Sequence, residues 1–232
     1  MSAPHTHWLS LDLTWPKGTL AIHRCTDERV TTLLSEKLIS ESFDHSEKLI
    51  PAVKQILEDL KLNLSQIERF ITPSGPGSFT GLRIALISFK AFAAVLKQPI
   101  ETVSGAECRA LAWQRRFPKV TWNQLFVITQ TTRLLAHCAT YVNADGRLKL
   151  LGEAMVETEK LLATLAPQDF AMIDGSFNPQ MEFTQKNVVR FPLQAAWLGE
   201  NLFQCASRKT HSKFNELVTL TPEYFGSSRF DV

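Results

Sequence analysis

Residues 72–82 read TPSGPGSFTGL, a loop that follows the short apolar run Phe70-Ile71 and precedes a long apolar segment. Ser78 stands directly before the predicted helix, where a hydroxyl oxygen accepts a hydrogen bond from a backbone N–H of the first turn. Gly81 lies inside that turn, although glycine costs about 1 kcal/mol there relative to alanine. The pattern predicts a strand–loop–helix unit whose helix start is closely approached by another helix, another chain or an anion.

The loop does not match the common phosphate and nucleophile motifs. A Walker loop needs Lys-Ser/Thr after its last glycine, but Leu82 and Arg83 follow Gly81. The dinucleotide pattern needs a third glycine where Thr80 stands. A nucleophile elbow needs glycines two residues on either side of Ser78, and Gly81 is three residues away.

The composition of the chain limits the classes of protein to which it can belong. The chain has 232 residues, of which 44% are hydrophobic, so it can bury a sizeable core. Its 25 basic and 23 acidic residues give a net charge of +2, without the basic excess typical of nucleic-acid binding. The apolar stretch 84–96 is too short to cross a bilayer and contains Lys90, so we expect no membrane insertion. Four scattered cysteines, without a CxxC pair, predict buried reduced thiols in a cytoplasmic protein.

Hydrophobic periodicity predicts a mixed α/β order that restarts halfway along the chain. The predicted helices cover 44–60, with Asp44 and Glu47 forming a capping box, and 79–97, 105–116 and 157–166. The predicted strands cover 8–13, 19–23, 30–34, 70–71, 99–103, 124–128, 134–142, 148–152, 170–173 and 187–191. The second half resembles the first, so we predict two lobes that share a cleft, residues 1–104 and residues 105–232.

Few residues have the spacing that metal or nucleotide chemistry requires. A helical metal site at His45 would need a second histidine at position 49, which is leucine, so no metal site is predicted. Asp12 ends the first strand, and Asp174 follows the apolar run FAMI. Two such carboxylates facing one cleft could hold a nucleotide and its metal. The turn-forming pair Asp174-Gly175 explains the second one equally well.

The stretch GPGSFTGLRI, residues 75–84, is very similar to the signature of the bacterial TsaB (YeaZ) family. Residues 45–57, HSEKLIPAVKQIL, resemble the family's His-x-x-x-Leu/Ile-x-Pro helix, and LSLDLT at 9–14 resembles its opening strand. Pro222-Glu223-Tyr224 resembles a Pro-x-Tyr near its C-terminus. The second half departs from the family, which carries Asp-Ala-Arg where this chain has TQTTR at 129–133, and Leu-Arg where Phe-Gly-Ser follows Tyr224.

The resemblance implies an α/β, two-lobed, actin/sugar-kinase-like (ribonuclease H-like) fold with mixed sheets and packed helices. It implies a non-catalytic scaffold subunit of the complex that installs threonylcarbamoyl on adenosine next to the tRNA anticodon. The implied partners are a TsaD-like catalytic subunit and a TsaE-like ATPase, with tRNA contacted only through the complex. In the catalytic paralogue a His-x-x-x-His pair binds metal, and here Leu49 replaces the second histidine. No cofactor is implied, unless ATP binds in a vestigial cleft at Asp12 and Asp174 or through partner subunits.

The helix at 79–97 carries two apolar stripes. We expect one to pack on its own sheet and the other to form a homodimer in isolation and the pair with the TsaD-like subunit in the cell. The alternative is that both stripes are internal core. The predicted interface residues are Ile50, Val53, Leu57, Gly77, Ser78, Phe79, Gly81, Arg83, Ile87, Lys90 and Ala94.

Two enzymatic alternatives stay open. The first is a small ATP-using phosphotransferase or hydrolase of the same fold, with Asp12 and Asp174 in its cleft. The second is a metallopeptidase, which would need a pair of metal ligands that the sequence does not supply.

Overall fold

The computed structural model describes residues 5–27, 30–39, 44–131, 135–174, 187–191 and 193–223. Its helices are α1 (His45–Asp59), α2 (Phe79–Leu96), α3 (Gly105–Arg116), α4 (Thr158–Ala163), α5 (Ala195–Asn201) and α6 (Phe214–Thr219). Its strands are β1 (Thr6–Asp12), β2 (Thr19–Asp27), β3 (Val30–Leu38), β4 (Ile67–Gly75), β5 (Ile100–Ser104), β6 (Leu125–Gln130), β7 (Leu135–Ala144), β8 (Arg147–Glu157), β9 (Phe170–Ile173), β10 (Val188–Arg190) and β11 (Lys209–His211).

Two mixed sheets share one topology. The first has six strands in the order β11-β5-β4-β1-β2-β3, and the second has five in the order β10-β9-β6-β7-β8. In each sheet the leading strand, β1 or β6, pairs antiparallel with the next strand of its meander and parallel with a later strand, β4 or β9. The predicted restart of the pattern in the second half is therefore confirmed.

Helix α3 lies between the two sheets. One of its faces, which includes Cys108 and Leu111, packs with α5 on the first sheet. The other face, which includes Ala106, Ala110 and Trp113, packs on the second sheet. Helices α1 and α2 cover the outer side of the first sheet, and α4 covers the outer side of the second. This layered arrangement buries α3 on nearly all sides.

The predicted elements are present, with three corrections. Asp44 occupies the N-cap of α1, but its side chain makes no capping hydrogen bond and instead pairs with Lys48 one turn later. From the sequence, Pro51 should either kink this helix or mark its first turn; α1 begins at His45, so Pro51 lies inside the helix and not in its first turn. The short elements α5, β11 and α6 return to the first sheet, so residues 105–232 do not all belong to the second lobe.

Candidate functional site

The glycine-proline loop after β4 is packed against its own chain. Ser78 caps α2 as predicted, since its Oγ accepts a hydrogen bond from the Gly81 N–H at 3.2 Å. The Ser78 N–H donates to the Thr14 carbonyl oxygen at 2.8 Å, which ties the loop to the end of β1. Gly75 has a φ of 142°, a backbone conformation that favours glycine, and lies against the Glu223 carbonyl.

Gly81 explains the close approach that the sequence predicts at the start of α2. A Cβ added there would overlap the Leu13 carbonyl oxygen and lie 2.8 Å from the Leu13 carbonyl carbon. The approaching group is thus the backbone that follows β1 in the same chain. In this structure the glycine serves internal packing against the segment that follows β1, a neighbour that is not among the options taken from the sequence.

A cleft opens where the leading strands of the two sheets end. It is lined by residues of both lobes and of α3: Thr14, Trp15, Pro76, Gly105, Arg109, Thr129, Asp174 and Leu193. Its empty space is about 250 Å³ with open solvent included, so little of that space is enclosed by protein. The cleft is therefore narrow in this conformation.

Asp174 lines this cleft, and Asp12 is near enough for the two carboxylates to interact electrostatically, but Asp12 is not one of the lining residues. Asp12 ends β1 and is fully buried, and its Oδ1 accepts hydrogen bonds from the Thr14 N–H at 2.8 Å and the Thr14 hydroxyl at 2.6 Å. Asp174 follows β9, is also buried, and accepts a hydrogen bond from the Gln130 N–H at 3.2 Å. Each lobe thus contributes one carboxylate.

The two carboxylates influence each other's protonation. Burial raises the pKa of Asp12 to about 6, and the charge of Asp174 adds to that rise. The hydrogen bonds from Thr14 and the charge of Arg109 act in the opposite direction and lower this pKa. Burial is the largest effect, so the ionised form of Asp12 is disfavoured in spite of the nearby guanidinium.

Arg109 is the charged residue of α3 that lines this cleft. It belongs to none of the motifs recognised in the sequence. Its side chain is 2% exposed, and its guanidinium donates to the Ile128 carbonyl oxygen at 3.4 Å and to Thr129 Oγ1. Burial lowers the pKa of Arg109, whereas the carboxylates of Asp174 and Asp12 raise it. One sequence signal could have identified it: Arg109 stands among apolar residues in the middle of α3, whereas Arg115 and Arg116 stand in the last turn.

His45 and Leu49 do not supply the His-x-x-x-His pair with which the catalytic paralogue binds a metal. His45 is buried, and its Nε2 lies 3.1 Å from the Trp15 carbonyl oxygen, which already occupies that nitrogen. Leu49, one turn later, belongs to the hydrophobic core. Within the described ranges, no group of three or more His, Cys, Asp or Glu residues is arranged to hold a metal ion.

The other candidate site is the outer face of α2. The term denotes the exposed residues of this helix: Phe79, Thr80, Arg83, Ile87, Ala91, Ala94 and Val95. Ile87 is 65% exposed and Val95 is 81% exposed, which is unusual for large apolar side chains at the centre and end of a helix. The Arg83 guanidinium lies over the Phe79 ring, 3.7 Å from its centroid, so the one charge on this face is stacked on an aromatic ring.

The structure divides the predicted interface residues into two groups. Val53, Leu57 and Gly81 are buried within this chain, which corrects their assignment to a free surface. Gly77, Ser78 and Lys90 are half-buried. The remaining predicted residues are exposed: Ile50, Phe79, Arg83, Ile87 and Ala94.

Helix α6 extends the exposed apolar surface beside α2. Lys90 Nζ donates to the Val218 carbonyl oxygen at 3.4 Å, which places α6 next to the middle of α2. Phe214 and Val218 are 66% and 61% exposed. Sequence reasoning missed both, since a six-residue helix is too short to show a periodic pattern.

By length and composition α2 is also apolar enough to cross a membrane, with a mean hydropathy of 1.7. Core helices of soluble proteins pass the same test. One side of α2 packs into the core through Leu82, Leu86 and Phe89. The inner half of the helix therefore has a partner within the protein.

The duplicated sheet topology and the cleft at the ends of β1 and β9 define a two-lobed α/β protein of the actin-like, ribonuclease H-like class. The structure of YeaZ from Pseudomonas aeruginosa has this fold, with a TM-score of 0.68 over 95% of this chain and 100% of that chain at 19% identity. The chain belongs to the TsaD family, whose model, described as tRNA N6-adenosine threonylcarbamoyltransferase, matches residues 33–229. Its relatives confirm the predicted TsaB (YeaZ) branch.

Two relatives illustrate how far the similarity reaches. The chain is 29% identical over 147 residues to an uncharacterized protein of Mycobacterium tuberculosis, covering 63% of each chain. It is 33% identical over 82 residues to the tRNA threonylcarbamoyladenosine biosynthesis protein TsaB of Bacillus subtilis, covering 35% of this chain and 36% of that protein. The matched region thus spans less than two thirds of the length of these relatives.

Proposed function

We propose that this chain is a non-catalytic subunit in the cytoplasmic biosynthesis of threonylcarbamoyladenosine in tRNA. Its partners are a TsaD-like catalytic subunit and, through the assembled complex, a TsaE-like ATPase and tRNA. Two relatives carry the name of this pathway, TsaB of Bacillus subtilis and TsaB of Buchnera aphidicola. The proposed role rests on an exposed apolar surface, the outer face of α2, and not on the cleft.

The observation that carries the proposal is the outer face of α2. Helix α2 has 18 residues and is apolar overall, yet only a third of these residues are buried within the protein. Large contiguous apolar surfaces on soluble proteins are usually interfaces, because leaving them in water costs about 25 cal/mol per Å². The side chains of Ala91 and Ala94 are short, so a second helix can approach α2 closely at these positions.

We expect the outer face of α2 also to form a homodimer when the chain is isolated from its partner. A surface that pairs with a paralogue of the same fold can pair with a second copy when the paralogue is absent, with the helices of both copies in ridge-into-groove packing. The exposed Ile50 of α1, together with Phe214 and Val218 of α6, would enlarge the buried area beyond α2 itself.

Ile87→Glu tests this surface. We expect the charge to lower the affinity for the TsaD-like subunit by at least about 30-fold and to convert the homodimer to monomer, because a central apolar contact is worth roughly 2 kcal/mol or more. Leu151→Glu is the matched control, since Leu151 is 53% exposed on β8 in the other lobe. Sedimentation and co-purification with the untagged TsaD-like protein are the measurements. Unchanged assembly of a folded Ile87→Glu protein would reject the surface.

The pathway itself is tested in cells. Depletion of the chain should lower the threonylcarbamoyladenosine content of tRNA, measured by nucleoside chromatography, and the Ile87→Glu protein should not restore it while Leu151→Glu should. A second candidate function, an ATP-using phosphotransferase or hydrolase, is favoured by one observation: Asp174 lines the cleft and interacts electrostatically with the buried Asp12. Magnesium-dependent ATP turnover by the isolated chain, lost in Asp12→Asn, would establish it in place of the scaffold role.

A further inference from the structure

We propose that Cys108 and Cys205 form a reversible disulfide site, at which a small hydroperoxide joins helix α3 to the segment that leads into β11. The two thiols come from parts of the chain 97 positions apart, and their Sγ atoms lie 3.4 Å apart in the interior of the protein. Both belong to the core between α3 and the first sheet, whereas α2 packs on the opposite side of that sheet. The inference therefore does not depend on the function proposed for α2.

The first argument is the distance between the sulfur atoms. A disulfide holds its sulfurs about 2.05 Å apart, so closing the bond requires the two Sγ atoms to approach each other by roughly 1.4 Å. A movement of that size lies within the reach of rotations about the two Cα–Cβ bonds. The reduced pair is thus already close to the bonded arrangement.

The second argument is that other bonds hold the two backbone segments together. The Glu107 carboxylate accepts hydrogen bonds from the N–H groups of Ala206 and Ser207 at 2.7 and 3.1 Å, and from the Ser207 hydroxyl. The Ser207 oxygen accepts a further hydrogen bond, at 3.1 Å, from the Ser104 N–H at the start of α3. Glu107 and Ala206 directly adjoin the two cysteines, so the thiols are kept beside each other at a high effective concentration.

The third argument is a route for a small oxidant. Cys108 is fully buried and Cys205 is 5% exposed, but Gln204 and Ala206, on either side of Cys205, are exposed. Cys205 therefore lies directly beneath the surface, where a hydroperoxide reaches it before it reaches Cys108. A hydroperoxide as small as hydrogen peroxide needs much less space for this approach than a bulky thiol reagent does.

The two sulfurs have different roles in the reaction. The hydrogen bond with Cys205 and burial raise the pKa of the Cys108 thiol, so Cys108 keeps its proton and Cys205 reacts first. The Cys205 thiolate attacks the O–O bond of the hydroperoxide and becomes a sulfenic acid, while the alcohol, or water from hydrogen peroxide, leaves. The Cys108 sulfur then attacks the Cys205 sulfur. The S–S bond forms, the S–O bond breaks, and the hydroxide leaves as water with the Cys108 proton.

The electrons balance, because the two sulfurs together lose the two electrons that reduce the O–O bond. A low-molecular-weight thiol reverses the reaction by exchange. In a compartment that keeps thiols reduced, the bond forms only while hydroperoxide is present.

The bond would restrain the edge of the first sheet. Helix α3 packs against both sheets, and the segment after Cys205 continues into β11, which pairs with β5 at that edge. A cross-link between such distant parts of the chain removes many conformations of the opened state. The oxidised chain should therefore open this edge less often than the reduced chain.

Hydrogen peroxide treatment of the native protein, followed by alkylation of the remaining thiols in urea and peptide mass mapping, tests the site. We expect one linkage, between the peptides that contain Cys108 and Cys205, with the loss of two hydrogen atoms and full reversal by dithiothreitol. Amide hydrogen exchange of residues 205–211 should slow by about tenfold or more on oxidation and recover on reduction. Cys138→Ala, at a buried cysteine of the other lobe, is the matched control and should form the same linkage at the same rate.

Two further samples separate the folded geometry from chance pairing. Protein oxidised in urea should give several pairings among its four cysteines, because unfolding removes the contact between the two sulfurs. In Cys108→Ala, Cys205 should stop at the sulfenic acid, which dimedone traps. If that variant does not fold, Cys205→Ala should leave Cys108 reduced, since the oxidant reaches Cys108 only after Cys205.

Three results would overturn the disulfide site: folded wild type in which Cys108 and Cys205 stay reduced, the same mixture of pairings as in urea, or a linkage of Cys205 to Cys25. Cys25 belongs to the same core, so the peptide map must distinguish the two pairings. Unchanged exchange of residues 205–211 in the linked protein would overturn the restraint on β11. None of these results affects the α2 interface, which the Ile87→Glu measurements test separately.

Discussion

Replacing Gly81 with alanine is the sharpest test of how the glycine loop works. The added Cβ would lie 2.8 Å from the Leu13 carbonyl carbon and overlap its oxygen, whereas relaxed carbon contacts are about 3.5–4.0 Å. Leu13 is fully buried and follows an inner strand, so neither group can move aside alone. The first turn of α2 must therefore shift away from β1 by several tenths of an ångström or more.

The expected cost follows from three effects. Forcing extra volume into a packed core costs about 1–3 kcal/mol, and a clash with backbone belongs at the upper end of that range. Moving the first turn also strains the hydrogen bond between Ser78 and the Gly81 N–H, a helix cap worth about 1 kcal/mol. Alanine returns about 1 kcal/mol through its helix propensity. We therefore expect Gly81→Ala to lower the free energy of unfolding by about 3 kcal/mol.

Urea unfolding followed by tryptophan fluorescence measures this change. Gly152→Ala is the control: a Cβ at Gly152, on edge strand β8, meets nothing within 4 Å, so its effect should stay within about 0.5 kcal/mol. A Gly81→Ala protein as stable as the wild type would show that α2 is not held against β1 by this contact. The role assigned here to the glycine loop would then be wrong.

Two further predictions concern buried titratable groups. Because burial raises the pKa of the folded Asp12 carboxyl to about 6 from 3.8, its favourable contribution is present at low pH and is lost as pH rises through 6. The stability of Asp12→Asn relative to wild type should therefore grow by about 2 kcal/mol between pH 4 and pH 7, and a constant difference in urea unfolding would contradict this. All four cysteines are free and buried, so a thiol reagent should label them only after denaturation. Rapid labelling of the native protein would show that the packing around Cys108 and Cys205 opens readily.

Much of the fold could be predicted because its strongest signals are local. Ser78 and the apolar run after it mark the start of α2, and Asp145-Gly146 marks the hairpin between β7 and β8. The similarity of the two half-chains indicated duplicated lobes. These signals need only a few neighbouring residues, so a single sequence contains them.

The missing parts depend on contacts between distant segments. Helix α5 and strand β11 are seven and three residues long, and they pack on the first sheet about 100 residues after its other strands. No periodicity reveals such short elements. The group that approaches Gly81 and the burial of Arg109 likewise depend on how β1 and α3 are placed in space. The close approach to Gly81 could be predicted from the sequence, as could the interest of the two acids, but the buried arginine near them could not.

The two candidate sites support one picture of how this fold is used. In the cleft the chain leaves little open space, and Thr14 donates hydrogen bonds to one of the acids, Asp12. On the outer face of α2 it does the opposite, leaving large apolar side chains such as Ile87 in water. A protein that acted only on a ligand in its cleft would need an open pocket there and would not need an apolar helix face outside. The distribution observed favours a chain whose function is exerted through the molecule that covers α2.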